Sequence, residues 1–412
     1  MNWQPLIKEP GSTEFKSKIT GIAGALTNNI AHFPDNNGID GEKLATALFL
    51  FYYSRLTGET AYADQGLDLI SGIFEALNRD LETGAFERSS TALAGLGWIM
   101  EHLKQNGFID IDTDEMLADV DGLLHQVMMI DMQKRRYDYI YGAIHKGIYF
   151  LNRLEKPGVR AYLEELVDLV GQVSNLDERG GRCFLVDMQE RNGHSGVFCD
   201  LGLAHGMPQV AWFLGKLIKH GVAVNKTTAL LKEFVAYILN RSQDIGQFKS
   251  YFPTMVIDEG MPANSRLAWC YGDPGIGISL WQAGQDSANS ELSDQAVKIL
   301  LHSSQRRDLS ENGVVDAGIC HGTAGLAQIF NRMYHYTENE DFRQAAQYWA
   351  TETLKMSRFD DGYGGFKCWK GDDDGGWINA ANLFDGASGI GLALVSLVSD
   401  IPPHWDRMLL LS

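Results

Sequence analysis

Residues 321–334 read HGTAGLAQIFNRMY, in which small residues and a turn lead directly into an apolar run with helical spacing. The same design occurs seven times, counting this copy. The other six are GIDGEKLATALFLFYY (38–53), TALAGLGWIMEHL (91–103), YGAIHKGIYFLNRL (141–154), LGLAHGMPQVAWFLGKL (201–217), YGDPGIGISLWQAG (271–284) and DGASGIGLALVSLV (385–398). Glycine, 44 residues in 412, is concentrated in these clusters and not in linkers. The repetition predicts seven buried helices that each start at a glycine turn.

Longer and more polar stretches separate the copies, for example residues 59–78, 227–242 and 338–357. Their apolar residues recur every three or four positions, as in helices with one buried face. Seven apolar helices alternating with amphipathic ones predict a single all-α domain over residues 1–412, an α/α toroid of seven inner and seven outer helices. An open solenoid is the alternative, but no copy resembles a polar terminal cap.

Two segments, 178–200 and 244–268, are interrupted by glycine or proline and enriched in β-branched and aromatic residues. We expect short strands or β-hairpins there, near the rim of the toroid.

The charge balance excludes some classes of partner. The chain carries 53 acidic and 35 basic residues, a formal net charge of −18, so we expect no nucleic-acid binding. The longest basic run, Lys134-Arg135-Arg136, is interpreted as a solvated helix face. The most apolar segments, 45–53 and 390–398, are shorter than the ~20 residues of a membrane span. The N-terminus lacks a signal-peptide pattern, so we expect a cytoplasmic protein with five reduced cysteines.

Two of the glycine clusters are preceded by a cysteine at the same phase of the repeat, Cys270 in WCYGDPG and Cys320 in ICHG. Equivalent phases of a ring meet at one rim, so these thiols and His321 are expected to converge. Two thiols and an imidazole suit Zn²⁺, and three protein ligands with one open position are typical of a catalytic zinc. The spacing alone is a weak signal, because free cysteines are usually small buried hydrophobes.

Two further polar residues lie near this phase in other copies. His205 lies in GLAHG, and Asp138 precedes Gly142 by four residues in YDYIYG. A lone histidine or aspartate near a helix start is more often a cap or a satisfied polar group. Their recurrence at like positions nevertheless favours one shared site.

The CYGDPG, CHG and GLAHG stretches, with the seven-fold glycine pattern, resemble the LanC family of lanthionine synthetase cyclases over about residues 37–400. The resemblance implies an α/α toroid of seven inner and seven outer helices. It implies that Cys270, Cys320 and His321 bind zinc and that His205 and Asp138 act in acid–base chemistry. Tyr271 and Arg266 also fall at positions that the family uses in or near its site.

One departure from the family pattern follows His205-Gly206. The family continues there with a small residue and another glycine, whereas this chain has Met207-Pro208-Gln209. The first repeat, 38–53, also matches poorly. We find no kinase-like or lyase-like extension, so the resemblance is to a stand-alone cyclase.

The family reaction is the addition of a peptide cysteine to dehydroalanine or dehydrobutyrine in the same dehydrated precursor peptide, which consists of a leader and a core. A dehydratase and an exporter are the implied partners in a biosynthetic complex, which would bring the protein to the membrane periphery. Two alternatives stay open. One is a LanC-like protein that adds glutathione to dehydroamino acids, and the other is a non-catalytic peptide-binding toroid braced by zinc. A third possibility, a prenyltransferase-like subunit, is disfavoured because the chain lacks the Asp-plus-Cys…His ligand layout that is typical of such proteins.

Overall fold

Two kinds of helix alternate along the chain in the computed structural model, which describes residues 3–34, 41–82, 86–191, 194–257 and 263–412. In chain order the α-helices are α1 (Ser12–Asn29), α2 (Glu42–Thr57), α3 (Thr60–Glu82), α4 (Phe86–Gln105), α5 (Thr113–Gln133), α6 (Ala143–Leu151), α7 (Val159–Val173), α8 (Met207–Lys219), α9 (Val224–Leu239), α10 (Asp273–Asp286), α11 (Ser290–Gln305), α12 (Thr323–Thr337), α13 (Glu340–Met356) and α14 (Ala387–Val398). Short 3₁₀ helices span Ile30–His32 and His404–Leu409.

The even-numbered helices correspond to the seven glycine-led copies. They are buried on nearly all sides, and every residue of α14 is buried. The odd-numbered helices bury one face only, as α11 does with residues three and four apart. The prediction of alternating apolar and amphipathic helices is therefore confirmed for the residues that the structure describes.

Two copies differ in detail from the prediction. In the second copy, residues 91–103 lie inside α4, so no turn separates the small residues from the helix. The alanine and leucine residues around these glycines are strong helix formers and carry the helix through. In the first copy, residues 38–40 lie outside the described residues.

Six of the apolar helices start at an N-cap glycine without a side-chain cap. At five of these glycines a side chain would collide with backbone that lies a few residues earlier in the chain. A Cβ at Gly206 would lie 2.6 Å from the backbone carbonyl carbon of Asp200, and Gly272 has a φ of +153°, which favours glycine. The chain therefore folds back tightly before each of these helices. The five glycines are Gly142, Gly206, Gly272, Gly322 and Gly386.

The described residues group into two compact units. The first unit contains Met1–Asp110, Arg307–Leu410 and Ser412. In it α2 packs against α3, and α12 packs against α13. Helix α14 packs against both α12 and α2, so the last apolar helix of the chain lies beside the first.

The N-terminal segment of this unit also packs against α14. The indole of Trp3 donates to the carbonyl of Ser396 (2.9 Å), and the backbone N–H of Ile7 donates to the carbonyl of Leu397 (3.0 Å). The two ends of the chain are therefore joined within one unit.

The second unit contains Ile111–Arg306 and Leu411. The apolar helices α6, α8 and α10 pack side by side in that order, and each packs against the amphipathic helix that follows it. Helix α8 starts at Met207 with Pro208 in its first turn, a position that proline tolerates. The departure from the family pattern at residues 207–209 thus leaves this helix start intact.

Short antiparallel strands complete the fold. In the second unit they are β1 (Asn175–Leu176), β2 (Arg182–Cys183), β3 (Val186–Arg191), β4 (His194–Asp200) and β5 (Met255–Ile257). Strand β1 pairs with β2, and β4 lies between β3 and β5, with Cys199 opposite Val256. The predicted strands in 178–200 and 244–268 are confirmed. A further pair in the first unit, β6 (Cys368–Trp369) and β7 (Trp377–Ile378), was not predicted.

Domain number and membrane association were also predicted from the sequence. The prediction of one domain over residues 1–412 stays a prediction. None of the described helices is both long enough and apolar enough to cross a membrane.

Candidate functional site

The turns that precede the apolar helices carry every candidate residue. Relative to the N-cap glycine, Cys270 and Cys320 lie two residues earlier, and His205, Tyr271 and His321 lie one residue earlier. The tight backbone reversal fixes these two positions in the same way in each copy. The repeat therefore presents reactive side chains from equivalent points of successive turns.

Asp138 and His205 form a pair in the second unit. Oδ1 of Asp138 lies 3.3 Å from Nδ1 of His205, and the same oxygen accepts the backbone N–H groups of Ile140 (2.9 Å) and Tyr141 (3.0 Å). Burial raises the pKa of Asp138, but the hydrogen bonds from His205 and the backbone outweigh it, so the net pKa is lowered. The carboxylate is consequently ionised at neutral pH.

The pKa of the His205 imidazole is shifted in the opposite direction to that of Asp138. Burial lowers its pKa, but the hydrogen bond and negative charge of Asp138 outweigh this effect, and the net pKa is raised. Its side chain is 40% exposed. The ring is therefore accessible to a reactant while its Nδ1 contacts Asp138. A histidine in this setting holds a proton near neutral pH and can release it.

A buried lysine anchors the turn that carries Asp138. Lys146 is inaccessible to solvent, and its Nζ donates to the carbonyls of Tyr141 (3.1 Å) and Gly142 (3.3 Å). It also pairs with Asp131 on α5 at 2.9 Å. Because the buried ammonium donates hydrogen bonds to two carbonyls of the turn, it holds the backbone next to Asp138 in place.

Asp200 is a buried carboxylate in this unit that was not among the predicted site residues. Its Oδ1 accepts the N–H of Gly202 (2.6 Å), and its Oδ2 accepts the hydroxyl of Tyr271 (3.0 Å). Burial raises its pKa to about 6, against the lowering effect of these two donors. A signal existed in the sequence, since D-x-G-x-x-H-G occurs both at 200–206 and at 316–322.

The three predicted metal ligands come together in the structure. The sulfurs of Cys270 and Cys320 and a ring nitrogen of His321 all lie within 4.8 Å of one another. Cys270 is buried, and the other two are partly exposed. Two thiols and an imidazole form a donor set that Zn²⁺ accepts, so these residues fit a zinc ion with one position left for a further ligand.

The turn that holds His321 contains the second D-x-G-x-x-H-G copy. Asp316 is buried, and its Oδ1 accepts the N–H of Gly318 (3.0 Å) while its Oδ2 accepts that of Trp369 in β6 (3.0 Å). The same Oδ2 lies 3.9 Å from Nε2 of His321. A carboxylate beside a metal-ligating imidazole typically orients the ring.

The other candidate and the other cysteines have different environments. Arg266 is exposed. It lies six residues before Gly272, at the start of the turn that this glycine ends. None of the five cysteines, all of which lie in the described part of the chain, forms a disulfide bond. Burial raises the pKa of Cys368 to about 11, so this thiol is protonated and unreactive at neutral pH.

Comparisons with known proteins identify the family and the fold of the chain. The family model described as lanthionine synthetase C-like protein matches residues 43–410. Nisin biosynthesis protein NisC of Lactococcus lactis subsp. lactis is 28% identical over 139 residues, which cover 32% of this chain and 32% of that protein. The matched stretch thus spans about a third of the length of that relative.

A solved structure extends the comparison to the fold. The nisin cyclase structure superposes with a TM-score of 0.72 at 17% sequence identity, covering 96% of this chain and 97% of that chain. This likeness confirms the predicted fold class, an all-α α/α toroid with short β-hairpins.

Proposed function

Because the chain belongs to the lanthionine synthetase C-like family, we propose that it is a zinc-dependent lanthipeptide cyclase. It would join peptide cysteines to dehydroalanine or dehydrobutyrine and so form lanthionine and methyllanthionine rings. The observation that carries the proposal is the grouping of Cys270, Cys320 and His321 within 4.8 Å. A cyclase of this kind must handle a thiol, and this group is where a thiol-binding metal fits.

The metal would be held by these three side chains. When bound, Zn²⁺ supplies positive charge that lowers the pKa of the substrate thiol, which is near 8.5 in free cysteine. Cys270 and Cys320 would be thiolates in that state, since both are ligands. Asp316, 3.9 Å from Nε2 of His321, would keep the imidazole oriented.

The bond changes balance without an oxidant or a reductant. The substrate thiolate forms a bond to the β-carbon of the dehydroamino acid, and the electron pair of the double bond moves toward the carbonyl oxygen as an enolate. His205 then delivers a proton to the α-carbon. The proton lost by the thiol replaces it on His205, so the net reaction adds S–H across C=C.

Asp138 would keep His205 protonated and oriented between turnovers. Its ionised carboxylate lies 3.3 Å from Nδ1, which leaves Nε2 as the nitrogen that faces the reactant. Arg266 is the proposed group for the enolate oxygen, because an exposed guanidinium offers several N–H donors to a developing negative charge.

The substrate on this proposal is a dehydrated precursor peptide with a leader and a core. A dehydratase must act first, since only dehydration of serine and threonine creates the acceptor double bonds, and an exporter would follow. The reaction consumes reduced thiols, so we place it in the cytosol.

The deciding experiment compares His205→Ala with the parent protein on a dehydrated peptide. Remaining thiols are alkylated at timed intervals, and mass spectrometry counts the unclosed rings. We expect His205→Ala and Asp138→Ala to retain zinc and to lose about 10²–10⁴-fold of the rate, the usual contribution of a general acid or base. Slow closure without enzyme sets the baseline.

Each other outcome points to a different conclusion. Ring closure by His205→Ala at the parent rate would make His205 a structural histidine. Loss of zinc from that variant would place His205 among the ligands. If the parent protein closes no rings but adds glutathione to dehydroamino acids, that activity replaces the proposed one. If it binds the peptide without turnover, it is a peptide-binding module.

A further inference from the structure

A tyrosine occupies the His205 position of the repeat in the copy that contains Asp138. Tyr141 precedes the N-cap glycine Gly142 by one residue, as His205 precedes Gly206. Because the glycine turns reverse the chain in the same way, the repeat should present the side chains of Tyr141 and His205 next to each other.

The Tyr141 ring indeed lies beside the ring of His205. Their centroids are 6.5 Å apart, with 24° between the ring planes. Tyr271 is a second aromatic neighbour of His205, with a centroid distance of 6.3 Å. The three side chains come from three glycine turns of one compact unit, so Tyr141 belongs to the surroundings of the proposed acid.

The turns that carry His205 and Tyr271 are packed directly against each other. A Cβ at Gly202 would lie 2.6 Å from the carbonyl oxygen of Cys270. The N–H of Ala204 donates to that carbonyl at 3.4 Å. The two turns therefore hold the rings of His205 and Tyr271 at a fixed separation.

The backbone of Tyr141 is also held in place, at both of its polar groups. Its N–H donates to Oδ1 of Asp138 (3.0 Å), the oxygen that also contacts His205. Its carbonyl accepts Nζ of Lys146 (3.1 Å). The side chain thus extends from a fixed backbone, and packing a partner against it costs little conformational entropy.

Tyr141 is exposed although its apolar neighbours in the same turn are buried. Tyr137, Tyr139 and Ile140 are all buried, whereas Tyr141 is 55% exposed. The turn itself does not require an aromatic ring there, since Asp385 stands at the same position of another copy. A large exposed ring beside a reactive group is typical of a surface that binds a partner.

The surroundings of the ring favour an apolar partner over a cationic one. Packing the ring against an apolar side chain removes apolar surface of both groups from water. A cationic side chain would lose hydration there and would meet the imidazole of His205, which carries a proton in the proposed mechanism. The Oδ1 of Asp138 that balances this proton already accepts the N–H groups of Ile140 and Tyr141.

We propose that Tyr141 binds the peptide substrate, with its ring packed against an apolar side chain that flanks the dehydroamino acid. The inference rests on the proposed cyclase function and deepens it, since it names a residue that determines which sequences are cyclised efficiently. The ring carbons make the contact, and the phenol hydroxyl is not required for it.

Matched peptides test this preference. Three dehydrated peptides differ only in the residue next to the dehydroalanine, which is leucine, glycine or lysine. We expect the parent protein to cyclise the leucine peptide with a kcat/KM about tenfold above that of the other two, the size of one aromatic contact. A parent that prefers lysine or shows no preference would overturn the inference.

The Tyr141→Ala variant should lose the preference. Its kcat/KM values for the three peptides should agree within about twofold, through a higher KM for the leucine peptide at nearly unchanged kcat. This split is expected because the contact forms equally in the bound peptide and in the transition state. An undiminished preference for leucine in Tyr141→Ala would exclude the ring as its cause.

Two further variants separate the ring from other effects. Tyr141→Phe keeps the ring and should keep the preference, and a loss as large as that of Tyr141→Ala would overturn the proposal. Val224→Ala is the matched control, since Val224 is 42% exposed and follows the far end of the 13-residue helix α8, about 20 Å from its start. Should Tyr141→Ala fail to fold, Tyr141→Asn removes the ring with a residue that turns tolerate.

Binding without turnover separates this inference from the proposed function. A leucine peptide with alanine in place of its reacting cysteine cannot close a ring, and titration calorimetry gives its Kd. We expect the parent to bind it about tenfold more tightly than Tyr141→Ala does. Equal Kd values would overturn the inference even in an active cyclase, whereas a tenfold difference in a protein that closes no rings would refute only the proposed function.

Discussion

The contact at Gly202 predicts that adding one methyl group there disables the enzyme. In Gly202→Ala the new Cβ would lie 2.6 Å from the carbonyl oxygen of Cys270 and 2.6 Å from Cε1 of Tyr271. Ordinary contacts of a Cβ begin at 3.4 Å. The two turns must therefore separate by about 0.8 Å, and one of the groups that moves is backbone.

The expected magnitudes follow from that displacement. Inserting a methyl group into a closely packed site typically costs about 1–3 kcal/mol of unfolding free energy. A misplacement of about 1 Å can lower a rate about 10²-fold. Gly202→Ala should thus lose far more activity than stability, since the shifted turns hold His205, Cys270 and Tyr271.

The assay measures ring closure by timed thiol alkylation and unfolding by urea titration. Gly122→Ala is the matched control, because Gly122 lies in α5 with no atom within 4 Å of its new Cβ. Alanine is a better helix former than glycine, so this control should gain about 0.5–1 kcal/mol and keep its activity. If Gly202→Ala closes rings at the parent rate, the close contact between the two turns does not matter for function.

Two other predictions concern the metal and pH. Elemental analysis of the purified protein should find about one zinc per chain. The Cys270→Ala, Cys320→Ala double variant should lose this zinc, whereas Cys368→Ala should keep it. Full zinc occupancy in the double variant would refute the proposed ligands. Asp138→Asn should move the alkaline limb of the rate–pH profile to lower pH. Asp138 raises the pKa of His205, so without it the protonated form disappears at a lower pH. An unshifted limb would exclude His205 as the acid.

The apolar helices could be predicted from the sequence because their starts obey a steric rule. At Gly206 and Gly272 any side chain would meet the backbone of the preceding turn, so glycine recurs at most of the helix starts and marks the repeat. The same regularity aligned Cys270 with Cys320, since both precede such a glycine by two residues. A repeated backbone constraint leaves a pattern that a single sequence can reveal.

The repeated motif marks Asp200 as a turn residue, but it does not reveal the contact of Asp200 with Tyr271, because that partner is distant in sequence. An aspartate two residues before a glycine fits a turn that its own side chain closes, and the N–H of Gly202 fills that expectation. The contact with Tyr271 joins residues 71 positions apart. Strands β6 and β7 were missed for a different reason, since pairs of two residues carry no periodic signal.

The discontinuity of the first unit has a consequence for the order of folding during synthesis. Helix α2 leaves the ribosome early, yet its neighbour α14 belongs to the last part of the chain, and about 200 residues of the second unit come between. At about 5–20 residues per second, synthesis of that interval takes roughly 10–40 s. The second unit is continuous apart from Leu411 and can form nearly all of its own contacts first, whereas α2 has only α1 and α3 to pack against until α14 is made. A nascent chain halted before α14 should therefore bind chaperones through its first hundred residues, and release should follow completion of the chain.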